Sequence, residues 1–215
     1  MVTNTIVLLD PGHGANDGGV CRNTFREADF ALELCREIVK ALTATGWPLV
    51  VWQTRYDDTI DPSSTQRADR ADALRADLTL ALHANSSDPR EHGAMALYLP
   101  YVPMVAELSA VWLTAMDRPG EYVEAGPTQR MRPMKRQAWP CLPGIHWQGR
   151  ALSCLMPHRR RPAIILEHDY ASNETARAWL MSREGQSRCV FAAVETVREL
   201  LRIKGMTANP ECLPT

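Results

Sequence analysis

Two histidines and two glutamates stand where apolar runs or helical patterns break off, which is where side chains become free to do chemistry. His13 sits in "IVLLDPGHG" (6–14), between two glycines and just after four apolar residues. His83 closes the apolar run "LTLAL" (78–82), Glu167 closes "PAIIL" (162–166), and Glu27 opens a helical pattern soon after the His13 loop. Two neutral imidazoles and a carboxylate are a common ligand set for catalytic zinc, with water in the fourth position. Zinc lowers the pKa of bound water to about 7 and polarises a carbonyl oxygen. A further carboxylate, off the metal, must then handle the proton. His13, Glu27, His83 and Glu167 supply that complement. Asp10 can orient His13 from behind, as ligating histidines usually require, and Gly12 and Gly14 let the backbone turn tightly. Each residue also has a plainer reading. Glu27 can be an acid favoured by the helix dipole, Glu167 a charge at a strand end, and either histidine a packing residue.

The elements around these residues supply the positioning. Residues 5–9 read as a buried strand. From about 27 to 45 the pattern turns helical, with Phe30, Ala31, Leu34, Ile38, Ala41 and Leu42 on one face and Gly46 at its end. "PLVVWQT" resumes as a strand, Ser63 or Ser64 caps a second helix through about 76, and 78–83 and "AMALYLP" are strands. Residues 102–116 read as helix and 162–168 as a strand. Asn173 caps a short helix, and a last helix runs from about 185 to 204. Strands alternating with helices predict one α/β domain over 1–215: a twisted, mostly parallel sheet with helices on both faces. Ligands gather at the carboxyl ends of such strands, so the strand ends at Asp10–His13, His83 and Glu167 are expected to converge.

One segment breaks the rhythm. Residues 117–150 are rich in Pro and Gly and have no period, which predicts an irregular insertion. From Gly126 to Leu166 there is no Asp or Glu, against eight basic residues that include Arg132, Lys135 and Arg136. Trp139 and Trp147 lie among them.

Composition excludes several classes. The chain has 215 residues, 24 basic against 25 acidic, and 45% hydrophobic residues, as an ordinary globular domain does. A net charge of −1 gives no reason to expect nucleic acid as a partner. No run approaches the ~20 apolar residues of a membrane span. The N-terminus reads as lacking a signal peptide, so the expectation is synthesis in the cytoplasm. The six cysteines are scattered and expected to be reduced. Cys141, His146, Cys154 and His158 have no common zinc spacing. "GHGAND" lacks the third glycine of a dinucleotide loop, because position 17 is Asp.

Taken in order, "IVLLDPGHGANDGG", "READFALEL", "LTLALHANSS" and "PAIILEHDYASN" resemble the motifs of the zinc-dependent N-acetylmuramoyl-L-alanine amidases. "VVWQTRYDD" and "QRADRADALRADLTLALHAN" resemble the segments between them. The resemblance covers roughly residues 5–100 and 150–182. It implies cleavage of the amide between the lactyl group of N-acetylmuramic acid and the L-alanine of the stem peptide. By position it implies one zinc on His13, Glu27 and His83, with Glu167 as the catalytic glutamate. After that glutamate the family usually shows a Glu-x-Gly-Phe pattern, whereas this chain has His168, Asp169 and Tyr170. Asp169 either raises the pKa of Glu167 or points away. His168 reads as a second proton group or, in preference, a solvated neighbour, and Asn85 as a holder of loop or substrate.

The expected partner is peptidoglycan or a muropeptide; the sequence does not speak to oligomeric state. Such a hydrolase, made without a leader, suits a phage-type lysis enzyme that reaches the wall after holin-type or other non-classical release. The competing expectation is an amidase fold that binds peptidoglycan without cutting it.

Overall fold

The apolar run before His13 forms strand β1 (Thr5–Pro11), buried at every residue but Ile6. The computed structural model describes residues 4–98, 102–117, 137–140, 146–147, 150–151 and 161–206. After β1 the chain makes a small antiparallel pair, β2 (Cys21–Arg22) and β3 (Phe25–Arg26), and enters helix α1 (Glu27–Ala44). The apolar residues of α1 recur at helical spacing, and Phe30, Ala31, Leu34, Ile38 and Leu42 are buried. Gly46, at φ 64°, turns the chain into strand β4 (Leu49–Gln53).

Helix α2 (Ser64–Leu74) starts at a reciprocal cap. The Gln66 N–H donates to Ser63 Oγ at 3.3 Å and the Ser63 N–H to Gln66 Oε1 at 2.8 Å. The helix stops at Arg75, which is left-handed at φ 53°. Strands β5 (Leu78–Asn85) and β6 (Met95–Tyr98) and helix α3 (Pro103–Met116) follow. Then come β7 (Gln137–Pro140), β8 (His146–Trp147), β9 (Arg150–Ala151) and β10 (Ala163–Tyr170). Asn173 and Ser182 cap the last two helices, α4 (Glu174–Met181) and α5 (Arg183–Ile203), by accepting from Ala176 N and Gly185 N.

The main sheet runs β4-β1-β5-β10-β6-β7. Neighbours are parallel except at β10–β6, which is antiparallel. The sheet is therefore mixed and mostly parallel, as expected for this class. Its larger core packs Val7, Leu9, Leu80, Leu82, Ile164 and Leu166 against α1, α3 and α5. On the opposite face Leu8 packs against Ala71 of α2. Each fully buried large side chain contributes about 1.5–3 kcal/mol over its exposed state, so the strands that carry the site are held from both faces.

The segment expected to be irregular is partly ordered: β7 extends the sheet beside β6, and β8 pairs with β9. Its ladder bonds come from backbone groups, which leave no period in the side chains. Arg132, Lys135 and Arg136 lie outside the described residues, as do Cys141, Cys154 and His158. Among the described residues no helix is long and apolar enough to cross a membrane, and Cys21, Cys35 and Cys189 form no disulfide.

Candidate functional site

β1 ends at Pro11, and the chain passes at once into a loop built around His13. Gly12 lies so close to the His83 ring that a Cβ there would sit 2.3 Å from its Cε1. At Gly19, where φ is 63°, a Cβ would fall 2.6 Å from Glu27 Oε2 and from His13 Cδ2. Glycine is required at both positions, because the backbone itself forms the wall of the site.

His13, Glu27 and His83 come together, and their ligand atoms all lie within 4.8 Å of one another. Glu27 Oε1 is the centre of the group. It lies 3.1 Å from His13 Nε2 and 3.0 Å from His83 Nδ1, and accepts from the Ala84 N–H at 3.0 Å. Glu27 Oε2 accepts from the Val20 N–H at 2.8 Å. Glu27 is buried, at the first turn of α1, and both of its oxygens are held.

Burial resists charge on all three groups, yet the imidazoles and carboxylate oppose that effect and win. Burial lowers the His13 pKa, but the Glu27 carboxylate and then Asp17 lift it to about 9. Burial likewise lowers His83, and Glu27 with Glu167 raises it above its ordinary value. For Glu27 burial raises the pKa, but bonds from His13 and His83 hold it well below the usual carboxylate range. The donor set, two imidazoles and a carboxylate, fits zinc in ligand type.

Glu167 stands beside this group and outside it. In the parallel register of β5 and β10 it is the partner of His83, so the two side chains share a face of the sheet. Its Oε2 is buried and has no hydrogen-bond partner among the described residues. Burial, with the Glu27 charge added, pushes its pKa up to about 7, against the pull of the two imidazoles. A half-buried carboxyl group that titrates near neutrality can accept a proton and return it.

The readings of Asp10 and His168 are corrected, and the alternatives for Asp169 and Asn85 are decided. Asp10 does not orient His13. It is buried, accepts from Thr54 Oγ1 at 2.5 Å, and pairs with Arg67. The orienting carboxylate is Asp17, whose Oδ2 lies 2.7 Å from His13 Nδ1 and whose Oδ1 accepts from the Gly19 N–H at 2.9 Å. Asp10 fails because it is a strand residue with its own buried partners, while the turn at Gly14–Asp17 folds Asp17 back toward the ring. Asp169 points away: its Oδ1 accepts from the Gly93 N–H at 2.6 Å and the Tyr170 N–H at 2.8 Å. His168 is fully buried rather than solvated, packed edge-on against Phe30 and Trp112, with Nδ1 3.0 Å from the His83 carbonyl. Burial pushes its pKa down to about 4, so it is neutral near pH 7. Strand alternation explains it, since Glu167 faces the site and the next residue must face the core. Asn85 Oδ1 accepts from the Ser86 N–H at 2.8 Å, and its carbonyl accepts from the Ala171 N–H at 2.8 Å, which makes it a holder of the loop.

A matching family model, Amidase_3, described as N-acetylmuramoyl-L-alanine amidase, spans residues 7–199. The chain belongs to the N-acetylmuramoyl-L-alanine amidase family. It is 33% identical over 87 residues to the amidase LytC of Bacillus subtilis (strain 168), a stretch covering 40% of this chain and 17% of LytC. It is 33% identical over 82 residues to the endolysin of Bacillus phage SPP1, covering 38% of this chain and 30% of that protein. The chain therefore matches less than a third of the length of either relative. Among solved structures it is similar to the catalytic domain of CwlV, the amidase from Bacillus (Paenibacillus) polymyxa var. colistinus. The TM-score is 0.72 at 23% identity, with 93% of this chain and 99% of that one covered. At that identity the likeness speaks for the fold.

The loop that carries His13 is also held by residues to which the sequence reading gave no role. Arg55, fully buried, donates to the carbonyls of Pro11, Gly12 and Ala28 at 3.1, 2.9 and 2.7 Å. Arg67 donates to the carbonyls of Pro11 and His13 at 2.9 and 3.0 Å. The two guanidinium groups tie the loop after β1 to the start of α1 through charge-assisted bonds to backbone carbonyls. A signal existed: Thr54 and Arg55 follow directly on an apolar strand, and Arg67 lies on the same helix face as Ala71 and Leu74.

Proposed function

We propose that the chain is a zinc-dependent amidase that hydrolyses the amide between N-acetylmuramic acid and L-alanine in peptidoglycan. The observation that carries this reading is the convergence of His13, Glu27 and His83 within 4.8 Å. The buried, unpartnered Oε2 of Glu167 beside them supports it. When bound, the ion would acidify water and polarise the scissile carbonyl. Glu167 then has two duties. Its carboxylate takes a proton from the attacking water, and the resulting acid gives that proton to the leaving amine of L-alanine. Asp17 fixes the His13 ring with Nδ1 toward itself and Nε2 toward the site. Burial on the core side of β1, β5 and β10 keeps the three strand ends in register. The match to a phage endolysin supports a lytic role, in which the enzyme meets the wall after release from the cytoplasm.

The deciding experiment combines elemental analysis of the purified protein with turnover of purified peptidoglycan. One zinc per chain, with new L-alanine amino termini and free lactyl carboxylates, is the expected result. Retention on walls without cleavage would make the chain a peptidoglycan-binding protein on an amidase fold, and absence of metal would remove the proposed chemistry.

A further inference from the structure

The loop that carries His13 leaves ordinary backbone geometry twice, at His13 (φ 58°) and at Ala15 (φ 46°). A Cβ disfavours that left-handed conformation, so neighbouring structure must hold it. Arg67 holds the His13 carbonyl. Ala15 is held at both of its backbone polar groups. Its N–H donates to Asp58 Oδ1 at 3.1 Å, and its carbonyl accepts from Arg26 Nη2 at 2.7 Å. Arg26 Nη1 in turn donates to Asp58 Oδ2 at 2.8 Å, which closes a ring through both side chains and one residue's backbone.

The ring joins three segments. Arg26 is the chain neighbour of Glu27, Ala15 is two residues past His13, and Asp58 belongs to the loop after β4. The side chains of Arg26 and Asp58 are 25% and 37% exposed, so their mutual attraction is screened and weak as a plain ion pair. Their directed bonds to the Ala15 backbone are what distinguishes them from a surface pair. Neither side chain is within the His13, Glu27 and His83 group.

We propose that Arg26 and Asp58 are positioning residues: they grip Ala15 in its left-handed conformation and thereby set His13 against Glu27 before a metal ion arrives. The inference rests on the zinc reading above and concerns how the ligands are pre-arranged.

The test measures two things for Asp58→Ala: zinc affinity against a competing chelator, and exchange of the Ala15 amide proton in zinc-free protein. Zinc affinity is expected to fall about tenfold, the scale seen when a group that orients a ligand is lost. Exchange at Ala15 is expected to quicken. Arg26→Lys should act in the same direction, because an ammonium cannot reach two acceptors as a guanidinium fork does. Asp29→Ala removes the other carboxylate partner of Arg26, at 2.6 Å, and should leave zinc affinity unchanged. Adding Ala15→Gly to Asp58→Ala should recover about threefold, since glycine takes a positive φ without a Cβ penalty. Thermal unfolding of all variants, with Ala15→Gly alone as reference, separates that recovery from a general change in stability. Parental zinc affinity in Asp58→Ala overturns the proposal, and so does a loss that Ala15→Gly does not touch. If the parent protein takes up no zinc, the functional reading fails. The grip is then judged on amide exchange alone, and equal exchange in parent and Asp58→Ala overturns it.

Discussion

At the scale of single residues, the site sets Glu167, the proposed proton carrier, apart from the groups that could hold metal. Glu167 has its Oε2 buried beside the ligand cluster without being part of it. Glu167→Gln is therefore expected to keep zinc and fold while amide cleavage drops by ~100-fold or more, the scale of losing a general acid–base. Zinc content and turnover on the same preparation check this, and an active variant would move the role to another group. The protons on the ligands give a second prediction. In metal-free protein the His13 pKa is lifted to about 9 and His83 lies above its ordinary value. With its pKa near 9, His13 still holds its proton at neutral pH, so a metal ion must displace it. Zinc affinity should climb as pH rises from about 6.5 toward 9, with proton release on binding. Chelator competition at a series of pH values reads it, and an affinity independent of pH over that window would contradict the arrangement.

At the scale of elements, three strands and one helix start deliver the chemistry to one place. β1, β5 and β10 are consecutive neighbours in the sheet and run parallel, so their carboxyl ends lie along one edge. α1 follows the His13 loop and starts at that same edge, which brings in Glu27. Beyond the last paired residues of β1 and β5, the His83 ring lies over the backbone of residue 12, which only a glycine allows. The Gly12 N–H donates to the Leu82 carbonyl at 3.0 Å, and its missing side chain leaves room for the His83 ring. Gly12→Ala is expected to push that ring aside and to lose metal, while the strands, whose core contacts are untouched, remain folded. Zinc analysis with circular dichroism tests this, and a Gly12→Ala protein that binds zinc as the parent does would show that the ring has another place to go.

At the scale of the whole molecule, the acid-free stretch from Gly126 to Leu166 is set against a chain of nearly balanced charge. Wall polymers carry carboxylates and phosphates, and arginine can grip a carboxylate with two hydrogen bonds. Activity on whole walls should fall with added salt, because charges exposed to solvent are screened beyond ~8–10 Å at physiological ionic strength. Neutralising Arg132, Lys135 and Arg136 together should weaken wall binding and flatten the salt dependence without changing zinc content. Sedimentation with purified walls at several salt concentrations measures it; binding equal to the parent at every concentration would exclude this stretch as the substrate clamp.

What the sequence by itself determined is what apolar periodicity and residue type can encode. The alternation of strands and helices, the caps at Ser63 and Asn173, and the strand ends at His13, His83 and Glu167 are local signals. Each depends on neighbours within a few residues. The family motifs added the ligand set. Only the tertiary structure decided the roles that depend on contacts across the chain. Asp10 and Asp17 lie three and four residues from His13 in sequence, but a buried bond to Arg67 occupies the first and a tight turn presents the second. His168 is core and Glu167 is site because adjacent residues of one strand face opposite ways, and packing on Trp112 fixes which way. Arg55 and Arg67 stand at positions that sequence marks as inward, beside an apolar strand and on the Ala71 face of a helix, but nothing local tells that they hold the distant carbonyls of Gly12 and His13.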